Sequence, residues 1–394
     1  MTQPGARLRI AVLNRTFSPI AGGAERYSIA LVEHLAAKHE FHVFAQTIEH
    51  HWPGVTYHRV SMPMRKPRWI NQLWFSAATW WATGRSLGRG FDIIHSHENT
   101  WHGDVQTVHV LPVRYTLFSD LGSWKLALRW LKVFTSPRLL AYLWLERLRY
   151  SERNGRAVVV ISPSLKDIFA ETYPKATAMI TLIPPGIELP ALPISAVMRE
   201  EARRQLGLPQ NRFCVLFIGN DPKKKGLGKL IEAMLLLHHD AVLAVVGHSA
   251  QLPSFRQQAE RAGLATRVFF LGSLADVGPA YRAADCLAHP TLQDTFAMVV
   301  LEAMAHALPV VVSGVAYCGI SGLLHNGSDA LILDDPKDAT ALASSLTRLL
   351  EDGSLRARIG LQGRAFAEKF EWAGIAARQE ELYAALSASM RTKH

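Results

Sequence analysis

Cysteine is scarce: the 394 residues hold three, Cys214, Cys286 and Cys318, at no spacing that suits a metal site. Two of them lie in apolar, strand-like runs, where cysteine acts as a small hydrophobe. A zinc framework is therefore excluded, and a reducing compartment is expected. Long apolar runs are also lacking. The nearest approach, Leu230–Gly247, is broken by His238, His239 and Asp240, short of the ~18 uninterrupted apolar residues of a membrane span. Met1–Asn14 carries Arg7 and Arg9, but its apolar run Ile10–Leu13 is too short for a secretory leader and reads as a first strand. The expectation is a cytoplasmic protein, soluble or peripheral at the inner face of the membrane. With 49% hydrophobic and 19% charged residues the chain is globular, and its length suits two domains.

The second half lacks net charge. Residues 188–394 carry 21 Lys/Arg and 21 Asp/Glu, whereas residues 1–187 carry 22 against 12, so the net +10 belongs to the first half. Nine of the ten tryptophans lie there too, all except Trp372. Arg65–Trp69 and Trp124–Arg156 interleave bulky apolar residues with Arg and Lys, a combination suited to an anionic, amphiphilic membrane surface. Nucleic acid is not an expected partner, because no recognised module accompanies the charge.

Strand-like and helical patterns alternate along the chain, which argues for parallel, doubly wound sheets. In the first half the strand candidates are Leu8–Leu13, Phe41–Gln46, Asp92–His97, Val105–Val110 and Ala157–Ile161, with a helix over Glu25–Lys38 and a long helix or helix pair over Trp124–Arg153. Ile183-Pro184-Pro185-Gly186, followed by Pro190 and Pro193, reads as a linker. Beyond it come strands at Cys214–Ile218, Ala241–Val246, Val268–Leu271, Cys286–His289 and Pro309–Val312. Ligands of such sheets bind beyond the carboxyl ends of the strands, so the loops after Ile218, Val246, Leu271 and His289 should line a site.

The segment Pro290–Val311 carries the clearest chemistry. A strand ends at His289, a loop brings Asp294, and a helix is expected to open near Thr295, Phe296, Ala297 and Met298, offering amides to an anion such as a diphosphate. Glu302 falls about two turns in, where a carboxylate can accept hydrogen bonds from ribose hydroxyls. An N-terminal cap at Asp294 and a solvated helix glutamate at Glu302 are the plain alternatives.

This segment resembles the motif of family-4 retaining glycosyltransferases, two glutamates separated by seven residues and followed by Glu-Ala-Met-Ala-x-Gly-x-Pro-Val-Val. Here Asp294 stands for the first glutamate, and Ala307-Leu308 replaces the glycine region before Pro309. The resemblance spans nearly the whole chain. Gly219-Asn-Asp-Pro-Lys-Lys-Lys225-Gly226 is similar to the family's loop whose basic pair, here Lys224 and Lys225, holds the donor diphosphate. Gly22-Gly23 resembles its glycine-rich loop before the first helix, Val246-Gly247 its post-strand glycine, and Ile183–Ile187 the segment before its hinge. His97, in Asp92-Ile-Ile-His-Ser-His97, and His109, in Thr107-Val-His109, stand where family members often carry histidines near acceptor and reacting sugar; His95 is expected to be packing.

The resemblance implies the GT-B arrangement, an α/β fold of two doubly wound Rossmann-like domains facing a cleft. An acceptor domain would span 1–187, a donor domain 188–365, and C-terminal helices 366–394 would return to the first domain. It implies catalytic roles for Asp294, Lys225, His97 and His109, and donor contacts from Gly22, Gly23, Gly219, Lys224, Lys225, Gly247, Asp294, Thr295, Phe296, Ala297, Met298 and Glu302. No metal or cofactor is implied, since lysines can hold the leaving diphosphate. The pattern is closest to lipopolysaccharide-core heptose glucosyltransferases, which points to UDP-glucose and a glycan or glycolipid acceptor. The alternatives are a relative using GDP-mannose or an ADP-sugar on phospholipid or exopolysaccharide, and a non-enzymatic membrane-surface protein on a degenerate transferase scaffold.

Overall fold

The computed structural model describes residues 7–19, 22–84, 90–119, 121–152 and 155–391. The chain divides into two compact units. Unit 1 combines Met1–Gly186 with Trp372–His394, and unit 2 is the contiguous stretch Ile187–Glu371.

Among the described residues, unit 1 contains β1 (Arg9–Leu13), β2 (Thr16–Phe17), α1 (Gly23–Leu35), β3 (Glu40–Ala45), β4 (Thr47–Ile48), β5 (Thr56–Arg59) and α2 (Arg68–Ala82). It continues with β6 (Ile93–Ser96), β7 (Val105–Val108), α3 (Val113–Phe118), α4 (Ser123–Phe134), α5 (Pro137–Arg149), β8 (Ala157–Val160), α6 (Pro163–Thr172), a 3-10 turn over Pro174–Met179, and β9 (Ile180–Leu182). Seven strands form one sheet in the order β5-β3-β1-β6-β7-β8-β9, every pair parallel. The inner strands are buried on both faces, as a sheet sandwiched between helices requires; β8 is wholly apolar, whereas β6 and β7 also bury His95, Ser96, Gln106 and Thr107. The expected helical stretch from Trp124 is a pair. Pro137 cannot continue α4 but suits the first turn of α5, where the Ser136 hydroxyl accepts from the Leu139 amide.

Unit 2 contains α7 (Ala196–Gln205), β10 (Phe213–Ile218), α8 (Leu227–Leu236), β11 (Ala241–Val246), α9 (Leu252–Arg261), β12 (Val268–Gly272), α10 (Gly278–Ala283) and β13 (Cys286–His289). These are followed by α11 (Met298–Ala305), β14 (Val310–Ser313), β15 (Leu331–Leu333), α12 (Ala339–Glu351) and α13 (Gly353–Glu368). Its six-stranded parallel sheet runs β12-β11-β10-β13-β14-β15. Numbered within the unit this is 3-2-1-4-5-6, the dinucleotide-fold order, whose direction reverses between β10 and β13. The same reversal occurs in unit 1 between β1 and β6. Cys214 and Cys286 lie on the central strands, buried and unpaired, and burial pushes the Cys214 thiol up to about 12.

The expected boundary at residue 365 moves. Residues 366–371 remain with unit 2, and the chain re-enters unit 1 at Trp372 as α14 (Trp372–Arg391). The physical reason is visible in the core of unit 1, where Trp372, Ile375, Ala376 and Tyr383 pack with Val12, Tyr27, Val32 and Ile93. Arg378 donates to the Leu182 carbonyl at 2.7 Å, and Arg391 to Asp92 at 2.9 Å.

Candidate active site

In each unit the sequence-marked residues gather at the carboxyl ends of the strands at or next to the reversal. In unit 2 these are the loop after β10, with Gly219, Lys224 and Lys225, and the loop after β13, with Asp294. The loops are stitched together: the Leu292 amide donates to the Lys224 carbonyl at 2.8 Å. Two glycines permit the approach. At Gly226, φ is +80° and a Cβ would stand 1.9 Å from the Pro290 carbonyl oxygen; at Gly247, φ is +144° and a Cβ would meet the Gly219 carbonyl oxygen at 2.2 Å. A side chain at either position would push the loops apart.

Asp294 is the hub. One carboxylate oxygen takes an ion pair from Lys225 Nζ and a hydrogen bond from His289 Nε2 at 3.2 Å. The other accepts the Phe296 and Ala297 amides at 3.3 and 3.0 Å. Its backbone pairs with Tyr317 and Gly319, at 2.7 and 2.9 Å, so the loop is held from both sides. Burial alone would raise the Asp294 pKa, but the His289 hydrogen bond and the Lys225 charge outweigh it and hold the carboxyl well below its usual range. Burial also lowers the His289 pKa, leaving a neutral ring that donates through Nε2.

The expected helix opening shifts. Thr295, Phe296 and Ala297 precede the helix, Ala297 takes φ +73°, and α11 begins at Met298. The Phe296 side chain is buried, so toward a ligand it offers backbone alone, and in this structure its amide and that of Ala297 serve Asp294. The first amides of α11 itself lack intrahelical acceptors, as at any helix start, and carry the positive end of the helix dipole. Lys224 is exposed beside them in sequence order on the facing loop, and Glu302 sits one turn into α11. Its carboxylate accepts the Tyr281 hydroxyl at 2.6 Å, and the Tyr281 ring stacks on His306 with centroids 4.8 Å apart.

In unit 1, His97 and His109 follow β6 and β7 and meet, Nδ1 to Nε2, at 3.1 Å. His95 packs against His97 with ring centroids 4.2 Å apart, and is held by Thr107 Oγ1 and the Tyr383 hydroxyl at 2.7 and 2.6 Å. Burial lowers all three imidazoles: His95 and His109 to about 3, with like charges adding to it, and His97 well below the ordinary value. The rings are neutral acceptors and donors, not cations, at neutral pH. Gly22 has extended backbone before α1, and a Cβ at Gly23 would meet nothing within 4 Å, so space is open beside this loop.

Sequence reasoning missed His289 and Tyr281. His289 is the last residue of β13, directly ahead of the Asp294 loop, and that position was the available signal; Tyr281 on α10 reaches Glu302 only through tertiary packing. Among the described residues the cluster compatible with a metal is His238, His239 and Asp240, all exposed. It precedes β11, at the amino edge of the sheet, opposite the strand ends that carry Lys225 and Asp294.

Two family models match, "Glycosyltransferase Family 4" over residues 21–190 and "Glycosyl transferases group 1" over residues 198–366. The chain belongs to the GT-B glycosyltransferases. It is 31% identical over 216 residues to the D-inositol 3-phosphate glycosyltransferase of Corynebacterium glutamicum, covering 52% of this chain and 51% of that protein. It is 26% identical over 240 residues to the lipopolysaccharide glucosyltransferase WaaG of Escherichia coli, covering 59% and 63%. The chain thus matches about half to two thirds of the length of these curated relatives. In three dimensions the crystal structure of WaaG, a glycosyltransferase involved in lipopolysaccharide biosynthesis, superposes with a TM-score of 0.80 at 22% identity, covering 95% of this chain and 99% of that one. The Anabaena HepE structure in complex with UDP-glucose superposes with a TM-score of 0.73 at 20% identity, covering 96% and 100%. Both establish the shared fold, two Rossmann-like domains with parallel sheets.

Proposed function

We propose that this glycosyltransferase moves a hexose, glucose first, from a UDP-sugar to a glycan or glycolipid acceptor such as lipopolysaccharide core, with retention of configuration. One observation carries the reading: at the strand-order reversal of unit 2, Lys225, Asp294 and the start of α11 converge, with Glu302 one turn further along the helix. The names of WaaG and the UDP-glucose bound in HepE support the donor and acceptor classes.

In this reading the donor diphosphate lies against Lys225, Lys224 and the first amides of α11, which stabilise the charge that grows on the departing nucleotide. An arriving diphosphate competes with Asp294 for the Lys225 ammonium and turns a carboxylate oxygen toward the sugar hydroxyls. The bond from the anomeric carbon to the diphosphate oxygen breaks, the acceptor oxygen forms its bond on the same face, and the acceptor proton passes to the leaving diphosphate oxygen. Glu302, fixed by Tyr281, receives the ribose hydroxyls. His97 and His109, neutral and adjacent, serve as hydrogen-bonding groups for acceptor or sugar. No metal is needed in this scheme, because the two lysines supply the positive charge.

A panel of UDP-, GDP- and ADP-sugars, read by nucleotide release and by NMR of the product anomer, tests the proposal. Turnover confined to GDP- or ADP-sugars overturns the donor, and an inverted anomer overturns the mechanism. The higher identity to D-inositol 3-phosphate glycosyltransferases favours a second reading, in which the acceptor is a phosphorylated polyol; including inositol phosphate among the acceptors separates the two.

The acceptor class motivates membrane contact by unit 1. Among the described residues no helix is long and apolar enough to cross a membrane. On α4, however, Trp124, Leu128, Leu131 and Phe134 are each more than half exposed, while Lys125, Arg129 and Lys132 form an adjoining basic stripe. Such a helix lies in an interface, with its apolar face among acyl chains and its cations at anionic headgroups. Sedimentation with vesicles of anionic against zwitterionic phospholipid measures it; equal or absent binding overturns it.

A further inference from the structure

A cavity in unit 1 is lined by none of the residues assigned above. It encloses about 830 Å³ between α3, α4, α5 and the Pro174–Met179 turn. That volume falls within the roughly 300–1,000 Å³ typical of small-molecule sites. Its walls are apolar and aromatic: Trp130 and Val133 from α4, and Leu140, Leu143 and Trp144 from α5. Its rim is cationic, with Arg114, Arg147 and Lys175 exposed there against the single carboxylate of Glu152. Among the described residues none of the three cations forms an ion pair with a carboxylate.

The walls are fixed rather than loosely apposed. Glu146, buried on α5, accepts the Val113 and Arg114 amides at 2.6 and 2.8 Å and the Tyr173 hydroxyl at 2.7 Å. One carboxylate thereby ties the start of α3 and the segment leading into the 3-10 turn to α5, and its own charge is spent on those three donors. The Phe118 and Trp130 rings stack at 4.6 Å, closing one side. Even so, Trp130, Leu140 and Trp144 remain 42%, 40% and 51% exposed, so this preformed apolar lining is in contact with water. Solvent-accessible apolar space ringed by cations that lack a carboxylate partner, Arg114 lying over the Tyr173 ring at 5.9 Å, complements a molecule with a hydrocarbon chain and an anionic head.

We infer that this cavity binds one phosphate-bearing lipid, its acyl chain between α4 and α5 and its phosphate at Arg114, Arg147 and Lys175. The site is distinct from the interfacial contact of α4, whose exposed residues Trp124, Leu128 and Leu131 do not line it. It also stands independently of the donor reading, which concerns unit 2. A lipid held here is taken singly, from dispersed monomer as well as from a bilayer, and keeps one amphiphile attached to unit 1.

Isothermal titration of the full chain with dodecyl phosphate, below its micelle concentration, tests this. The expected result is one molecule bound per chain. Decyl phosphate should bind about 15-fold more weakly, because each methylene removed from an apolar site costs about fourfold. Inorganic phosphate should not compete at millimolar concentration, and dodecyl maltoside, with the same chain and a neutral head, should bind at least tenfold more weakly. Ser151→Trp, which fills the cavity, should abolish binding; Leu140→Asp, at an exposed wall, should do so with no risk to the core; Arg147→Glu should weaken it tenfold or more. Trp124→Ser should leave it unchanged while reducing vesicle binding. Retained affinity in folded Ser151→Trp or Leu140→Asp protein, affinity independent of chain length, or equal affinity for the phosphate and maltoside heads overturns the site. A parallel UDP titration reports on unit 2: failure of UDP to bind sinks the donor reading and leaves the lipid result standing.

Discussion

The two units share a plan and spend it on opposite electrostatics. Both wind a parallel sheet outward from a central strand, and both place their marked residues at the carboxyl ends of strands at or next to the reversal of strand order. In unit 2 the loops there hold a charged set, Lys225 with Asp294, braced by His289. In unit 1, His97 after β6 and His109 after β7 are imidazoles whose surroundings disfavour charge. Unit 1 carries exposed cations over α4 and the cavity rim, and buries Arg149 against Gln106 and the Thr107 carbonyl next to the histidines. The same scaffold thus presents an acid paired with a lysine in one unit, and uncharged imidazoles with a basic exterior in the other.

Removing the charge of unit 2 should have the largest effect. Lys225→Ala should lower kcat by about 10²- to 10³-fold, the usual loss for a group that stabilises a developing anion, with intact circular dichroism. Rates within threefold of the parent would dissolve the contrast. Next comes the exterior of unit 1: Trp124→Ser, Leu128→Ser and Leu131→Ser combined should weaken binding to anionic vesicles at least about tenfold, given the apolar area withdrawn, without altering thermal stability. Unchanged sedimentation would show that this face is not used.

Acid should distinguish the units next. His95, His102 and His109 have folded pKa values of about 3 against an ordinary 6.5, chiefly through burial. The unfolded chain therefore binds protons that the folded chain refuses. Their contribution is intact above pH 6.5 and is lost as pH falls from there toward 3, at up to about 1.4 kcal/mol per pH unit for a wholly buried ring such as His95. In unit 2 burial lowers His289 and His306 as well, but Asp294 and Glu302 pull them back up, so their share of this loss is smaller; Asp294 itself acts later, because its depressed pKa stabilises the fold above the unfolded value near 4 and is lost only below it. Hydrogen exchange between pH 7 and pH 5 should show amides of β6 and β7 losing protection before those of β10; simultaneous loss would contradict the assignment. The smallest effect belongs to Tyr281→Phe, which removes one hydrogen bond to Glu302. It should raise the donor KM by about fivefold to tenfold with kcat nearly unchanged, consistent with about 1 kcal/mol for such a bond.

Much of this was legible in the sequence, for physical reasons that also mark the limits. Cys214–Ile218, Ala241–Val246 and Cys286–His289 are continuous apolar runs because interior parallel strands are covered on both faces, and such runs stand out. The edge strands Thr56–Arg59 and Ile180–Leu182 were not picked out, since half-exposed edges carry mixed residues and their pairing is set by neighbours distant in sequence. Lys225 and Asp294 could be placed in facing loops from strand order alone. Their direct pairing could not; the use of the Phe296 and Ala297 amides by Asp294 follows the capping alternative, but the left-handed turn at Ala297 that delays α11 to Met298 had no signal in the sequence. Tyr281 and Glu146 were hidden for a related reason: each acts through hydrogen bonds that packing creates.

The return of the chain at Trp372 has a consequence for synthesis. All of unit 2, Ile187–Glu371, leaves the ribosome as one contiguous stretch and can fold while translation continues. Unit 1 begins first yet cannot close, because Trp372, Ile375 and Tyr383 of its core are made only after all of unit 2. Until α14 emerges, the earlier-made part leaves Tyr27, Val32 and Ile93 without these apolar partners. The nascent chain therefore matures in reverse order, and a stop codon just before Trp372 would yield a folded unit 2 tethered to an unsealed, aggregation-prone unit 1.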